Sequence, residues 1–116
     1  MTQPTLRELI DVKIESLRDL DRLSPDAISQ EVVELSSLWA SLSKLMVDRE
    51  ITYAHVLRAL VETHGTVAKA TLYGKTTDEY RAYREAEAYW KSVQDLIRSC
   101  KKYITLQIEQ RKESGY

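Results

Sequence analysis

The chain has 116 residues, of which 43% are hydrophobic and 30% are charged, and its formal net charge is −1. This length and composition predict one soluble globular domain and exclude a disordered chain. No apolar run approaches the roughly 20 residues of a membrane-spanning helix, and the small net charge is atypical of a strong nucleic-acid binder. Cys100 is the single cysteine, which excludes an internal disulfide. Together with an N-terminus unlike a signal peptide, it favours a cytoplasmic protein.

Capping signals divide the chain into helices. Thr5 and Glu8 form a Thr-x-x-Glu capping box, so we expect a first helix over about residues 6–23. Ser24-Pro25-Asp26 is a second start signal, because serine caps a helix, proline fits its first position and aspartate favours its positive end.

A very long helix follows, over about residues 25–63. Its apolar positions recur in 4-3 alternation, which is typical of a helix that packs along another helix. They are Ile28, Val32, Leu35, Trp39, Leu42, Met46, Tyr53, Val56 and Leu60, with Arg49 as the one charged member. Gly65 and Gly74 bound a predicted short helix over 67–73, and Thr76-Thr77-Asp78-Glu79 begins a last helix over about 77–110. That helix carries the matching seam of Tyr83, Ala86, Trp90, Val93, Ile97, Cys100 and Ile104.

These elements predict an all-α fold, in which the two long helices form an antiparallel hairpin. The shorter first helix packs alongside the hairpin, at the end away from the short hinge helix. The hinge half then lacks a third helix, and its apolar side chains lack obvious cover. Those side chains are Leu57, Val61, Leu72 and Tyr80. One interpretation is that the short hinge helix covers some of them. A second copy of the chain would cover them better, so we expect a homo-oligomer.

Arg49 is the exception in the seam. With a hinge near residue 70, the numbers of two residues that face each other on the long helices should add up to about 141. This rule places Arg49 close to Trp90. A cation–π contact there would set the register of the helices or the oligomeric state. The alternatives are that Arg49 reaches water along its apolar stem, or that it contacts a ligand.

No catalytic, cofactor or metal site is predicted. His55 and His64 have no cysteine or carboxylate at metal-ligand spacing, and we interpret them as surface or hinge residues. No nucleophile–base pair can be assembled, so we do not expect an enzyme.

Tyrosines and basic residues alternate along the last helix. One interpretation is a face that stacks on bases and contacts phosphates, as in nucleic-acid or nucleotide binding. Its cations would be Arg84, Lys91, Arg98, Lys101 and Lys102. The other interpretations are that the tyrosines line the edge of the core with wet hydroxyls, or that they contact a protein partner.

Three segments carry a family resemblance: Thr66-Val67-Ala68-Lys69-Ala70, Thr76 to Arg81, and Glu85-Ala86-Glu87-Ala88. They resemble small helical proteins of tailed bacteriophages and prophages. The resemblance implies a helical protein of a bacterial host cytoplasm, encoded near genes of recombination, replication or host takeover. It transfers no catalytic residues.

The functional hypothesis is thus a non-enzymatic phage-type accessory protein that self-associates and binds a protein of the recombination or replication machinery, or a host defence complex. The expected contact residues lie at the hinge: Leu72, Tyr73, Tyr80, Arg81 and Arg84. Direct binding of nucleic acid or nucleotide is the main alternative, and a structural part of the virion is a third.

Overall fold

The computed structural model describes residues 2–113, and all of their regular structure is helical. The helices are α1 (Leu6–Ser16), a 3-10 turn (Leu20–Arg22), α2 (Pro25–His64), α3 (Val67–Gly74) and α4 (Asp78–Glu113). Helix α2 packs against α4, with α1 and α3 alongside. The predicted all-α class and helical hairpin are confirmed.

Hydroxyl caps begin the helices where the sequence places them. The Thr5 hydroxyl accepts the Glu8 N–H at 3.1 Å, and the Ser24 hydroxyl accepts the Ala27 N–H at 3.1 Å. Thr66 and Thr77 cap α3 and α4 in the same way. At the end of α2, Gly65 takes a φ of +83°, the left-handed conformation that favours glycine.

The described chain divides into two compact units. Unit 1 comprises the residues up to Ser41 together with those from Ser92, and unit 2 comprises Leu42–Lys91. The seams of α2 and α4 supply most of the core of unit 1. Its most buried side chains are Ile10, Leu17, Ile28, Val32, Leu35, Val93, Ile97 and Cys100.

Helix α1 ends at Ser16, seven residues before the predicted end. The Leu17 N–H still donates to the Lys13 and Ile14 carbonyls, but the chain then turns through a 3-10 segment. Two side-chain contacts hold this segment: Asp19 pairs with Arg22 at 3.0 Å, and Asp21 accepts the Tyr103 hydroxyl at 3.0 Å. A tertiary contact thus overrides a helical pattern that is locally acceptable.

An ion cluster fastens α1 to α2 in unit 1. The Lys13 ammonium donates to a carboxylate oxygen of Glu34 and lies 3.3 Å from Glu31 Oε2. The hydrogen bond from Lys13 lowers the pKa of Glu34, with a smaller contribution from Gln30, and the bond to Glu34 raises the pKa of Lys13. The cluster fixes which side of α2 the first helix covers.

In unit 2, α3 folds back onto the last turns of α2. The Cα of Gly74 lies so close to α2 that a Cβ there would sit 2.8 Å from Leu57 Cδ2 and 2.9 Å from Tyr53 Oη. Tyr53 also contacts two rings of α4, those of Tyr80 at 5.2 Å and Tyr83 at 6.0 Å between centroids. Tyr53 is therefore the residue on which three helices of this unit converge.

This arrangement shifts the register of the hairpin. Tyr53 pairs with Tyr80, and Ser43 accepts the Trp90 indole N–H at 2.5 Å. The residue numbers of each facing pair therefore add up to 133 and not to the predicted value of about 141. Because α3 occupies the surface of the last turns of α2, α4 begins about two turns further back along α2. The partner of Trp90 is accordingly Ser43 in place of Arg49.

We expect the contribution of the Lys13 cluster to stability to depend on pH. Because the pKa of Glu34 is lowered from 4.5 on folding, its contribution is complete above that value and is lost as the pH falls through the lowered pKa. Because the pKa of Lys13 is raised from 10.5, its own contribution is lost only as the pH rises through the raised value.

Lys13→Met should therefore lower the free energy of unfolding at neutral pH, and the difference from the parent should shrink at about pH 2.5. Urea unfolding followed by circular dichroism measures both values. Lys44→Met, at an exposed lysine of α2, is the matched control and should change little at either pH. An equal loss for Lys13→Met at both pH values would contradict the ionic origin.

Gly74→Ala should destabilise unit 2 by about 1 kcal/mol, because overpacking against α2 outweighs the better helix propensity of alanine. Shortening the opposing side chain with Leu57→Ala should relieve part of this cost. A double-mutant cycle measured by urea unfolding should then give a coupling energy of about 0.5 kcal/mol or more between the two positions. Additive effects would show that Gly74 does not pack against Leu57.

Candidate functional site

Unit 1 has an open side, which follows from where α1 lies. Glu31 and Glu34 of α2 face α1 through Lys13, and Tyr103 of α4 faces the 3-10 turn through Asp21. At about 100° per residue, Ser36 lies about 140° around α2 from Glu31, and Arg98 lies about 140° around α4 from Tyr103. The sides of α2 and α4 that carry Ser36 and Arg98 therefore face away from α1.

A groove of about 330 Å³ runs along this open side. Its floor consists of Trp39, which is half-buried, and Ile97, which is buried. Ser36 and Ala40 of α2 form one wall, and these small side chains keep the groove open. Gln94, Arg98 and Lys101 of α4 form the other wall. We call this site the unit 1 groove.

The electrostatics of the groove are positive. Arg98 and Lys101 are three residues apart on α4, so that their side chains share one face. Both are exposed, and within residues 2–113 neither is paired with a carboxylate. By contrast, Lys13 and Arg84 each have a carboxylate partner. The groove thus offers two available cations beside an aromatic and aliphatic floor.

This chemistry suits a ligand with an apolar side chain and nearby carboxylates or phosphates. The apolar part would be desolvated against Trp39 and Ile97, and the anionic part would pair with Arg98 and Lys101 at the wet rim. Within the described residues, no three His, Cys, Asp or Glu side chains are grouped to hold a metal ion. Cys100 is buried, which raises the pKa of its thiol.

Comparison with known proteins gave no matching family model, no matching curated protein and no matching solved structure. A search of the described helices for one long and apolar enough to cross a membrane was also negative. The unit 1 groove and the exposed residues are therefore the features from which a function can be inferred.

The structure brings together three of the hinge residues predicted to bind a partner. Tyr80, Arg81 and Arg84 line one shallow depression of unit 2, together with Lys75, Glu85 and Ala88. Arg84 pairs with Glu87 at 2.6 Å and Arg81 lies 3.8 Å from Asp78, so both of these cations already have a carboxylate neighbour.

The other two predicted partner-binding residues, Leu72 and Tyr73, lie on α3 and do not line that depression. Leu72 is 68% exposed. Tyr73 is half-exposed, and its ring stacks on His64 at 4.1 Å between centroids. His64 is thus a packing partner at the hinge.

The predicted nucleic-acid cations are dispersed. Arg98 and Lys101 lie in the unit 1 groove, and Lys102 is exposed in the same unit without lining the groove. Arg84 and Lys91 belong to unit 2 and are exposed there. Arg98 and Lys101 share a cavity.

Arg49 and Trp90 also occupy separate surroundings within unit 2. Arg49 is exposed at a shallow depression that it shares with Thr52, Asp78, Glu79 and Ala82. Trp90 is half-buried and donates to Ser43. The predicted cation–π role of this pair is replaced by an arginine at a wet surface next to two carboxylates.

The sequence pattern places Trp39 in the seam. It does not predict Ser36, Ala40 or Gln94 as site residues. A signal was present: Ser36 and Ala40 are four residues apart, on a flank of α2 where larger apolar residues would be expected if another helix packed there. The groove is defined by these small side chains as much as by Trp39.

Proposed function

We propose that this protein is a non-enzymatic helical interaction module that binds an acidic amphipathic helix of a partner protein in the unit 1 groove. The observation that carries the proposal is the pairing of an apolar floor, Trp39 and Ile97, with two available cations, Arg98 and Lys101. A helix in this groove would lie against α2 and α4, on the side that α1 leaves open.

Helix-in-groove recognition accounts for each feature of the site. One or two apolar anchors at helical spacing would fill the volume above Trp39, and small residues at positions 36 and 40 allow a helix to approach α2 closely. Carboxylates of the partner would pair with Arg98 and Lys101, which gives specificity and a faster association rate. An interface of this size buries less than about 1,200 Å², so we expect micromolar affinity.

The hinge supports a second contact surface within the same proposal. Leu72 and Tyr73 expose apolar surface on α3, and Tyr80, Arg81 and Arg84 line a depression on α4. Exposed tyrosines and arginines are the residue types enriched where proteins contact one another.

The resemblance of roughly residues 50–112 to phage helical proteins supports a phage-type accessory role in the cytoplasm of a bacterial host. The partner would then be a component of recombination or replication, or of a host defence complex. The unit 1 groove adds a chemical criterion to that proposal: the partner presents an acidic amphipathic helix.

A nucleic-acid or nucleotide ligand is the second candidate, favoured by one observation, the two cations beside the indole of Trp39. A base could stack on Trp39 while a phosphate contacts Arg98 or Lys101. Binding of this kind would weaken steeply with salt. An electrophoretic mobility assay at low salt tests it for DNA, and unshifted single- and double-stranded DNA would exclude DNA as the ligand.

Binding in the groove should change the fluorescence of Trp39. In a Trp90→Phe background, where Trp39 is the remaining tryptophan, we expect a saturable change on titration with a synthetic helical peptide that has leucines on one face and glutamates on the other. The dissociation constant should lie at roughly 10–100 µM. Arg98→Ala with Lys101→Ala should weaken binding at least tenfold.

Two controls make this test specific. A peptide with lysines in place of the glutamates should not bind, and Lys44→Ala with Lys102→Ala, which removes two cations outside the groove, should leave the affinity unchanged. Equal binding of both peptides, or no loss on removing Arg98 and Lys101, would count against the proposal.

A further inference from the structure

The outer face of α1 has the chemistry that the unit 1 groove requires. Val12 is 63% exposed and Leu9 is 39% exposed, so α1 presents apolar side chains to solvent on the side away from its own core. Glu8 and Glu15 are exposed and lie four residues before and three residues after Val12, on the same face. The face is therefore an apolar anchor between two carboxylates.

We propose that the unit 1 groove binds the outer face of α1 of a second copy of this chain, so that the protein associates head to tail. The inference depends on the proposed function, because it names the acidic helix that the groove takes. Val12 would lie over Trp39 and Ile97, while Glu8 and Glu15 approach the rim formed by Arg98 and Lys101.

Charge complementarity favours this pairing over the two symmetric ones. If two copies associated groove to groove, Arg98 and Lys101 of one copy would face their counterparts in the other, and like charges repel. If they associated through α1 alone, Glu8 and Glu15 would face the same residues of the second copy. Only the contact of α1 with the groove brings opposite charges together.

Glu15 already has a neighbour, since its carboxylate lies 3.2 Å from Arg18. Both side chains of that pair are mostly exposed, and an exposed ion pair of this kind has little net stability. Glu15 would therefore lose no strong contact within its own chain if it left Arg18 to pair with Arg98 or Lys101 of a second copy.

The position of the two surfaces sets the type of assembly. Helix α1 covers one side of the α2–α4 pair in unit 1, and the groove lies on the other side, so one copy cannot contact both surfaces of its neighbour at once. Such a heterologous contact repeats from copy to copy and gives open chains or rings in place of a closed dimer. An 11-residue helix buries a small area, so association should be weak.

Sedimentation equilibrium of the full chain, over about 10 to 500 µM, tests this assembly. The weight-average mass should rise with concentration and pass the dimer mass without a plateau. Reversal of the groove charge by Arg98→Glu with Lys101→Glu should leave the chain monomeric over the same range. Reversal of the α1 charge by Glu8→Lys with Glu15→Lys should do the same.

Combining the two charge reversals distinguishes the loss of this specific contact from a general loss of association. An equimolar mixture of the two variants should associate again, because each then presents a surface complementary to the other. A single chain with all four substitutions should also self-associate. The matched control is Lys44→Glu with Lys102→Glu, which makes the same charge change outside the groove and should associate like the parent.

The outcomes distinguish this inference from the function on which it depends. A chain that stays monomeric at 500 µM but binds the leucine–glutamate peptide in its groove would overturn head-to-tail association and leave the groove as a site for another acidic protein. A plateau at the dimer mass, or variants that associate like the parent, would overturn it as well. A groove that binds neither peptide nor α1 would overturn both.

Discussion

The interaction on which unit 1 depends is the placement of Lys13 between Glu31 and Glu34. The apolar stripe of α1 alone could pack on either side of the α2–α4 pair, since both sides border the same seam. The ammonium of Lys13 pairs with Glu31 and Glu34 on the side that α1 covers. This cluster at the edge of the core thus helps to hold α1 on that side of the pair, and the other side stays open.

Polar and charged side chains border the apolar floor of the open side. Apolar residues such as Trp39 and Ile97 are only partly reachable, since Ile97 is buried and Trp39 is half-buried in the same seam. The rim carries Arg98 and Lys101, and the like charges of two such rims repel each other. Two cations at the rim favour an acidic occupant over a basic one.

The sequence predicts the helices, their caps and the two seams, because these depend on local hydrogen bonds and on residue spacing. It does not predict where α1 ends, because the Asp21–Tyr103 contact joins residues far apart in the chain. It also misplaces the hairpin register by about two turns, because a glycine at position 74 does not reveal that α3 packs closely against Tyr53. Contacts between distant residues decided both points.

The same packing changes the physical basis for expecting self-association. Leu57, Val61 and Tyr80 were expected to lack obvious cover in the hinge half, yet all three are half-buried. Gly74 of α3 packs close to Leu57, and the ring of Tyr53 packs on that of Tyr80. Leu72 remains exposed. Among the residues that the structure describes, an apolar floor beside two cations without a carboxylate partner lies in unit 1, where a third helix is present but covers only one side. An amphipathic pair of helices has two sides to cover, so a single additional helix covers one of them and leaves the other open.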